Sequence, residues 1–285
     1  MPQGMLWKTR THTFDLTARA LLMGVVNVTP DSFSDGGQFA EVERAVAQAQ
    51  QLVEDGAEII DVGGESTRPG AEPVSEAEEL RRVLPVIERL AKNGRVVVSI
   101  DTMKPAVARA AMEAGAAIVN DVTGLRDPAM REIVHASGAG AVAMHMQGSP
   151  RDMQLAPRYD DVVGEIRDFF RQTFSACLAC GIDPMRLAFD PGIGFGKTVE
   201  HNLALLRNLD ALKIEGRPLV VGVSRKSFLA RIAGIALADD RTWPTVALTS
   251  YGRARGANVL RVHDVRPNFQ ALRMTEAILN EEAVA

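Results

Sequence analysis

Cysteine is scarce, with two in 285 residues, which excludes a disulfide-stapled scaffold. An excess of one charge is also lacking. Lys plus Arg number 32 against 36 Asp plus Glu, a net charge of −4 with neutral histidine. That balance offers no basic footprint for nucleic acid or an anionic membrane. No apolar run approaches the roughly 18 residues of a membrane span. Residues 1–20 place Lys8, Arg10, Asp15 and Arg19 with no apolar stretch between them, so no secretory signal is expected and the cytoplasm is the expected compartment. There is no low-complexity segment and no linker. Apolar residues make up 46% and charged residues 24%, a globular profile. At about 150 residues per domain the length suggests nearly two units, yet α/β barrels often run to this size as one. The expectation is one domain over residues 1–285.

Short apolar runs recur and end in polar or glycine residues: Leu21–Val26, Ala57–Val62, Val96–Ile100, Ala117–Val119, Ala141–Met144, Leu187–Phe189, Leu219–Val223 and Val259–Val262. Stretches of helical character separate them. Glu41–Asp55 carries Val42, Ala45, Val46, Ala49 and Val53 on one face, and Ser75–Asn93 opens Ser-Glu-Ala-Glu before Leu80, Val83, Leu84, Ile87 and Leu90. Further helices are predicted over Lys104–Ala114, Asp127–Ala136, Tyr159–Cys180, Val199–Leu209, Lys226–Ala233, Thr245–Arg255 and Pro267–Leu279. Strands alternating with helices imply parallel pairing. Continuous rather than alternating apolar runs imply strands covered on both faces. The predicted fold class is therefore α/β, a (β/α)₈ TIM barrel, with an open doubly wound sheet as the alternative that periodicity cannot separate. Residues 1–20 form an N-terminal appendage, and 10–20 look like a short hairpin able to plug the barrel base.

The polar residues closing these runs carry the function. Asn27 comes after the first run, and Asp61 sits near the end of the second. Asp101 comes after the third, Asn120-Asp121 after the fourth, His145 after the fifth and Asp190 after the sixth. Ser224-Arg225-Lys226-Ser227 succeeds the seventh, and in the eighth Arg261 and His263 precede Asp264. In a barrel these ends share one rim, where active sites of the fold sit. A polar residue after a strand is often only a helix cap. However, eight such coincidences, few of them Ser or Thr directly before a helix, are hard to explain as caps. Buried carboxylates and amides are expensive unless paired. Asp61, Asp101, Asn120 and Asp190 thus suggest a ligand rich in N–H donors, and Arg68, Lys226, Arg261 and His263 suggest an anionic group on it. The ligand described is a polar heteroaromatic carrying phosphate.

Other signals discount themselves. Gly192–Thr198 ends in Gly-Lys-Thr, but a phosphate loop needs glycine where Pro191 stands, and the dinucleotide pattern fails at Val199. Cys177 and Cys180 fall inside a helical stretch and read as structural. His135, His145 and His201 lack zinc spacing, and Met144 and Met146 read as packing residues near the pocket. Two long loops after strands, Thr29–Phe39 and Gly64–Pro73, are rich in Gly, Pro and Ser and read as lids.

Several segments together resemble the dihydropteroate synthases, of the pterin-binding barrel family: Asn27–Gly37, Asp61–Gly70, Ser99–Thr102, Asn120–Val122, Met144–Gly148, Asp190–Thr198, Ser224–Phe228 and Arg261–Asp264. The resemblance covers nearly the whole chain in the family's order. It implies a transferase of folate biosynthesis that joins 6-hydroxymethyl-7,8-dihydropterin diphosphate to 4-aminobenzoate, releasing diphosphate. It further implies that Asp101, Asn120, Asp190 and Lys226 hold the pterin. Asn27, Arg261 and His263 form the diphosphate end, with Asn27 toward Mg²⁺. Thr67, Arg68, Pro69 and Ser227 form the aminobenzoate region, with Phe195 and Phe33 enclosing it, and sulfonamides are expected to compete there. Lys226, Arg261, His263 and Asn27 carry the catalytic roles. A homodimer is implied as well. One departure bears on the dimer. Where the family has Gly-Thr or Gly-Ser opening a small-residue helix, this chain has Trp243-Pro244-Thr245, and then the polar Tyr251, Arg253 and Arg255. Pro in a first helical turn is tolerated, so the departure weakens the expected dimer more than the chemistry.

The residues fit that chemistry on their own. Ionised Asp101 and Asp190 can accept from the 2-amino and ring N–H groups of a dihydropterin. Lys226 can donate to its ring carbonyl or N5. Cleaving the C–O bond to diphosphate leaves a cation that the pterin delocalises, so stabilising the leaving group and excluding water matter most. Two other readings stand beside the synthase. A methyltransferase passing methyl from methyltetrahydrofolate to a corrinoid shares the pterin carboxylates but needs no diphosphate site. A non-catalytic pterin-binding paralogue is the third.

Overall fold

The computed structural model describes residues 4–29, 37–67, 70–235 and 241–279. Its main sheet has eight parallel strands: β3 (Leu21–Asn27), β4 (Ile59–Gly63), β5 (Val97–Asp101), β6 (Ile118–Asp121), β7 (Gly140–Met144), β8 (Leu187–Asp190), β9 (Val220–Gly222) and β10 (Val259–Val262). They run in the order β8-β7-β6-β5-β4-β3-β10-β9. A parallel bridge from Phe189 to Leu219 brings the two ends together. The sheet is thus a barrel, and the doubly wound alternative falls.

Helices α1 (Gly37–Glu54), α2 (Glu76–Asn93), α3 (Pro105–Glu113), α4 (Pro128–Ser137), α5 (Val162–Ala179), α6 (Val199–Arg207), α7 (Ser227–Ala233), α8 (Thr242–Ala254) and α9 (Val265–Leu279) alternate with the strands. Their ends follow local chemistry. Ser75 caps α2 by accepting from the Glu78 amide, three acidic residues occupy its first turn, and Gly94 ends it at φ 59°. Asp127 caps α4 with Pro128 at its first position. Thr198 and His201 cap α6 reciprocally. Pro244 lies in the first turn of α8, where it is tolerated. Among the described residues, no helix is long and apolar enough to cross a membrane.

The predicted hairpin lies earlier than expected. It pairs β1 (Leu6–Lys8) with β2 (Thr13–Asp15), so residues 10–20 held only its second half. Strands of three residues leave too little alternation for the pattern to locate both arms. The plugging role stands: Trp7, Phe14 and Leu16 close the barrel base against Leu21, Ile59, Val97, Ile118, Val142 and Val259. Trp7 is fully buried, and its indole donates to the Arg186 carbonyl at 3.0 Å.

The base layer sets the parity of the whole interior, because alternate residues of a strand share a face. From Leu21, Ile59, Val97, Ile118, Val220 and Val259, two-residue steps reach Asn27, Asp61 and Gly63, Asp101, Asn120, Gly222 and Arg261. The intervening residues Leu22, Ile60, Val98, Val119, Val221 and Leu260 pack outward against the helices. The polar strand-end residues are therefore the top layer of the barrel interior.

Candidate active site

Strand register sets that layer's order. Asn27 pairs with Gly63, Gly63 with Asp101 and Asp101 with Asn120. Met144 pairs with Asp190, and Arg261 pairs with Gly222. Glycine at two of these inward positions leaves room. A Cβ on Gly63 would stand 3.7 Å from Asn27 Oδ1 and from Asp101 Oδ2, and one on Gly222 would stand 3.8 Å from Asp190 Oδ2. The cavity above this layer is lined by Asp101, Asn120, Asp190 and Lys226, with Thr67 and Phe195 at its edge. Those six residues, from separate loops and strands, converge on one cavity.

Arg261 crosses the floor of the cavity. Its Nε donates to Asp61 Oδ2 at 2.7 Å and its Nη2 to Asp101 Oδ2 at 2.7 Å. Asn120 Nδ2 donates to the same Asp61 oxygen at 2.9 Å, while Asp61 Oδ1 is buried without a hydrogen-bond partner among the described residues. Asp61 is thus the internal counter-charge of the site, a role its position near a strand end left open. Burial pushes Asp101 up to about 7, opposed by Arg261 and reinforced by the charges of Asp61, Glu79 and Asp121. Burial likewise raises Asp190, against the pull of Lys226, and the Gly192 amide donates to its Oδ1 at 2.7 Å. Burial depresses Lys226 to about 7 even with Asp190 beside it. Its Nζ donates to the Ile193 carbonyl and stands 4.2 Å above the centre of the Phe195 ring.

His263 lies just beyond β10, where its Nδ1 meets Ser224 Oγ at 3.0 Å. Arg225, in the left-handed region at φ 60°, makes a two-point ion pair with Asp264 at 2.7 and 3.2 Å. This pair ties the loop bearing Lys226 to the loop bearing His263. Ser227 opens α7 and is exposed, unlike its inward neighbours. Arg68, Pro69, Phe33 and most of the Thr29–Phe39 lid loop lie outside the described residues.

A second network beside the mouth was not foreseen from the sequence. Lys104 Nζ donates to Glu65 Oε2 at 2.7 Å, to Glu79 Oε2 at 2.5 Å and to the Val74 carbonyl at 2.6 Å. Glu65 in turn accepts from the Val74 amide at 3.0 Å. Both ends of the segment carrying Thr67 are thereby fixed to the residue three places after Asp101. The available signal was a glutamate four residues before Val83, on the apolar face of the predicted helix, and the structure buries Glu79 fully. The discounted sequence elements also find structural places. Cys177 is buried, its thiol pushed up to about 12 by burial. Met144 and Met146 pack with Val122 and Met153. Arg253 is an internal anchor, donating to the Ala18 carbonyl at 2.9 Å and ion-paired with Glu276 at 3.2 Å.

Residues 23–263 match the family described as pterin binding enzyme. A dihydropteroate synthase of Synechocystis is 44% identical over 266 residues, covering 93% of this chain and 92% of that protein. Among solved structures, Xanthomonas albilineans dihydropteroate synthase with 4-aminobenzoic acid superposes with a TM-score of 0.91 at 44% identity, covering 97% of this chain and 99% of that one. Yersinia pestis dihydropteroate synthase in a sulfonamide drug complex superposes at 0.90 with 43% identity, covering 96% and 99%.

Proposed function

The chain belongs to the pterin-binding enzymes, within the dihydropteroate synthase family, and from that premise we propose how its mouth carries out the family's transfer. The reaction joins 6-hydroxymethyl-7,8-dihydropterin diphosphate to 4-aminobenzoate, giving 7,8-dihydropteroate and diphosphate. The observation that carries the reading is the single cavity shared by Asp101, Asn120, Asp190 and Lys226.

The pterin's 2-amino and ring N–H groups donate to the ionised carboxylates of Asp101 and Asp190. Asn120, held by Asp61, offers a donor and an acceptor, and Lys226 donates to the ring carbonyl or N5. Pterin capture draws Asp101 away from Arg261 Nη2, while Asp61 keeps its hold on Arg261 Nε. The freed side of the guanidinium then faces the diphosphate, together with His263 and Asn27. The C–O bond breaks with its electron pair leaving on diphosphate, and the ring spreads the positive charge left on its exocyclic carbon. The neutral arylamine forms the C–N bond with its lone pair and then sheds a proton. No enzyme nucleophile is required. Thr67, Arg68, Pro69 and Ser227 border the aminobenzoate, with the Phe195 ring against it. Sulfonamides compete at that place.

Magnesium is the implied metal. Among the described residues, no group of three or more His, Cys, Asp or Glu is arranged to hold one. A single amide oxygen, Asn27 Oδ1 at the Gly63–Asp101 edge, suits an ion that keeps its waters and arrives on a diphosphate. Asn27 would hold it, and the ion when bound would neutralise charge on the leaving group. We further propose a homodimer through α8 and α9, where Trp243 and Ile278 are 74% and 78% exposed.

The deciding assay supplies both substrates and follows dihydropteroate and diphosphate together. One mole of each is expected per aminobenzoate consumed, with the rate lost on chelating magnesium and restored by adding it back. Absence of product with both substrates present would sink the reading, and a rate indifferent to chelation would remove magnesium from it.

A further inference from the structure

The loop between β8 and α6 carries glycine at three positions in the left-handed region, Gly192, Gly194 and Gly196, at φ 63°, 83° and 60°. Such a segment is costly to hold in one shape, because each glycine surrenders more backbone freedom than any other residue. Yet Phe195 stands in its middle, with its ring against Lys226. Something outside the loop must hold it.

Four contacts do so. Asn202 accepts from the Gly194 amide at 2.7 Å, and Gln154 donates to the Gly194 carbonyl at 2.6 Å. Tyr159 Oη donates to the Gly196 carbonyl at 2.9 Å. The fourth is Lys197, which is 3% exposed. Its Nζ donates to the Phe195 carbonyl at 2.9 Å, reaches His145 Nδ1 at 3.1 Å and the His145 carbonyl at 3.4 Å, and stands 5.9 Å from the centre of the Tyr159 ring. Among the described residues, no carboxylate lies within ion-pairing distance of it. Burying an amine without a direct ion pair is expensive, and the charge of Asp190 attracts it only from beyond ion-pairing distance. The unusual choice is explained by what the amine joins. His145 directly follows β7, and its amide donates to the Asp190 carbonyl at 2.9 Å. Lys197 therefore bridges the strand end that supports Asp190 to the backbone of Phe195.

We infer that Lys197 is a positioning residue for the aminobenzoate half of the site, acting through the Phe195 carbonyl and assisted by Tyr159 on Gly196. The inference rests on the reading of Phe195 as an aminobenzoate contact. Lys226 grips the same loop from the cavity side at Ile193, so the loop is held between two amines, one facing substrate and one behind it. Burial and the nearby charge of Lys226, against the pull of Asp190, depress the proton affinity of Lys197 well below the ordinary range.

The test is a split of kinetic constants. Lys197→Met keeps the apolar stem and removes the donors. It should raise KM for 4-aminobenzoate about 10-fold, with sulfonamide inhibition weakened in parallel, while KM for the pterin diphosphate stays within about 2-fold. Tyr159→Phe removes only the hydroxyl at Gly196 and should move the same constant in the same direction, by about 3-fold. It decides the matter alone should Lys197→Met fail to fold. If Tyr159→Phe leaves KM for aminobenzoate unchanged, or if the variants raise both KM values alike, the inference is overturned. If the wild-type enzyme makes no dihydropteroate, the aminobenzoate reading itself fails and takes the inference with it. Wild-type turnover with no split in the variants removes only the role of Lys197.

Discussion

Asp101 and Lys226 are drawn toward neutrality from opposite sides by the same cause, burial at the barrel mouth, and both reach about 7. Pterin capture needs Asp101 ionised, which is favoured above that value, and Lys226 protonated, which is favoured below it. The kcat/KM for pterin diphosphate should therefore follow a bell with its maximum near neutral pH. Lys226→Ala should abolish the alkaline limb and lower kcat/KM by about 100-fold, and a pH–rate series on both proteins checks this. Arg261 acts on the acid limb. Its charge opposes the rise in Asp101, so in Arg261→Ala the carboxyl titrates higher still and the acid limb should move to higher pH while kcat falls. A lowered kcat with an unmoved acid limb would separate Arg261 from Asp101 in solution.

At the scale of elements, the strands and helices were legible because each writes its own period into the chain. Ser75–Asn93, with its capping serine and 3.6-residue apolar stripe, became α2 with only the cap outside the helix. Val259–Val262 became β10 with the same bounds. Other bounds shift, as where α1 begins at Gly37 and not Glu41, and two of the differences have a physical reason in the structure. The hairpin begins at Leu6 because three-residue strands have no period to read. Tyr159 stands before α5 rather than in it, since its ring packs on His145 and His201 at 6.0 and 5.0 Å and its hydroxyl serves Gly196. The hairpin gives an element-scale prediction. Trp7 is wholly buried under the barrel, at the end opposite the site. Trp7→Ala should cost about 3–5 kcal/mol of stability, seen as a lower denaturation midpoint, with both KM values within about 2-fold of the wild type.

Over the whole molecule, the helices after β9 and β10 show outward faces that the barrel does not need. Arg253 is turned inward to Ala18 and Glu276, so part of the polarity of α8 is consumed inside the chain. Trp243, Met274 and Ile278 remain exposed. A second copy covering these residues should give twice the chain mass in sedimentation, and the double charge reversal Trp243→Glu with Ile278→Glu should return it to one. A single-chain mass for the unmodified protein would remove the dimer.

Composition, the alternation of apolar runs with helical stretches, and the polar residue closing each run were enough to determine a parallel α/β architecture and to nominate Asp101, Asn120, Asp190 and Lys226, while closure into a barrel was decided by the bridge from Phe189 to Leu219. Those sequence signals are local properties, written in a few consecutive residues each. The pairing of Arg261 with Asp61 and Asp101, across 200 and 160 positions of chain, and the meeting of Lys197 with His145 across 52, were decided only by the tertiary structure. Strand register and shared burial bring those charges together, and no period along the chain records which of them will meet.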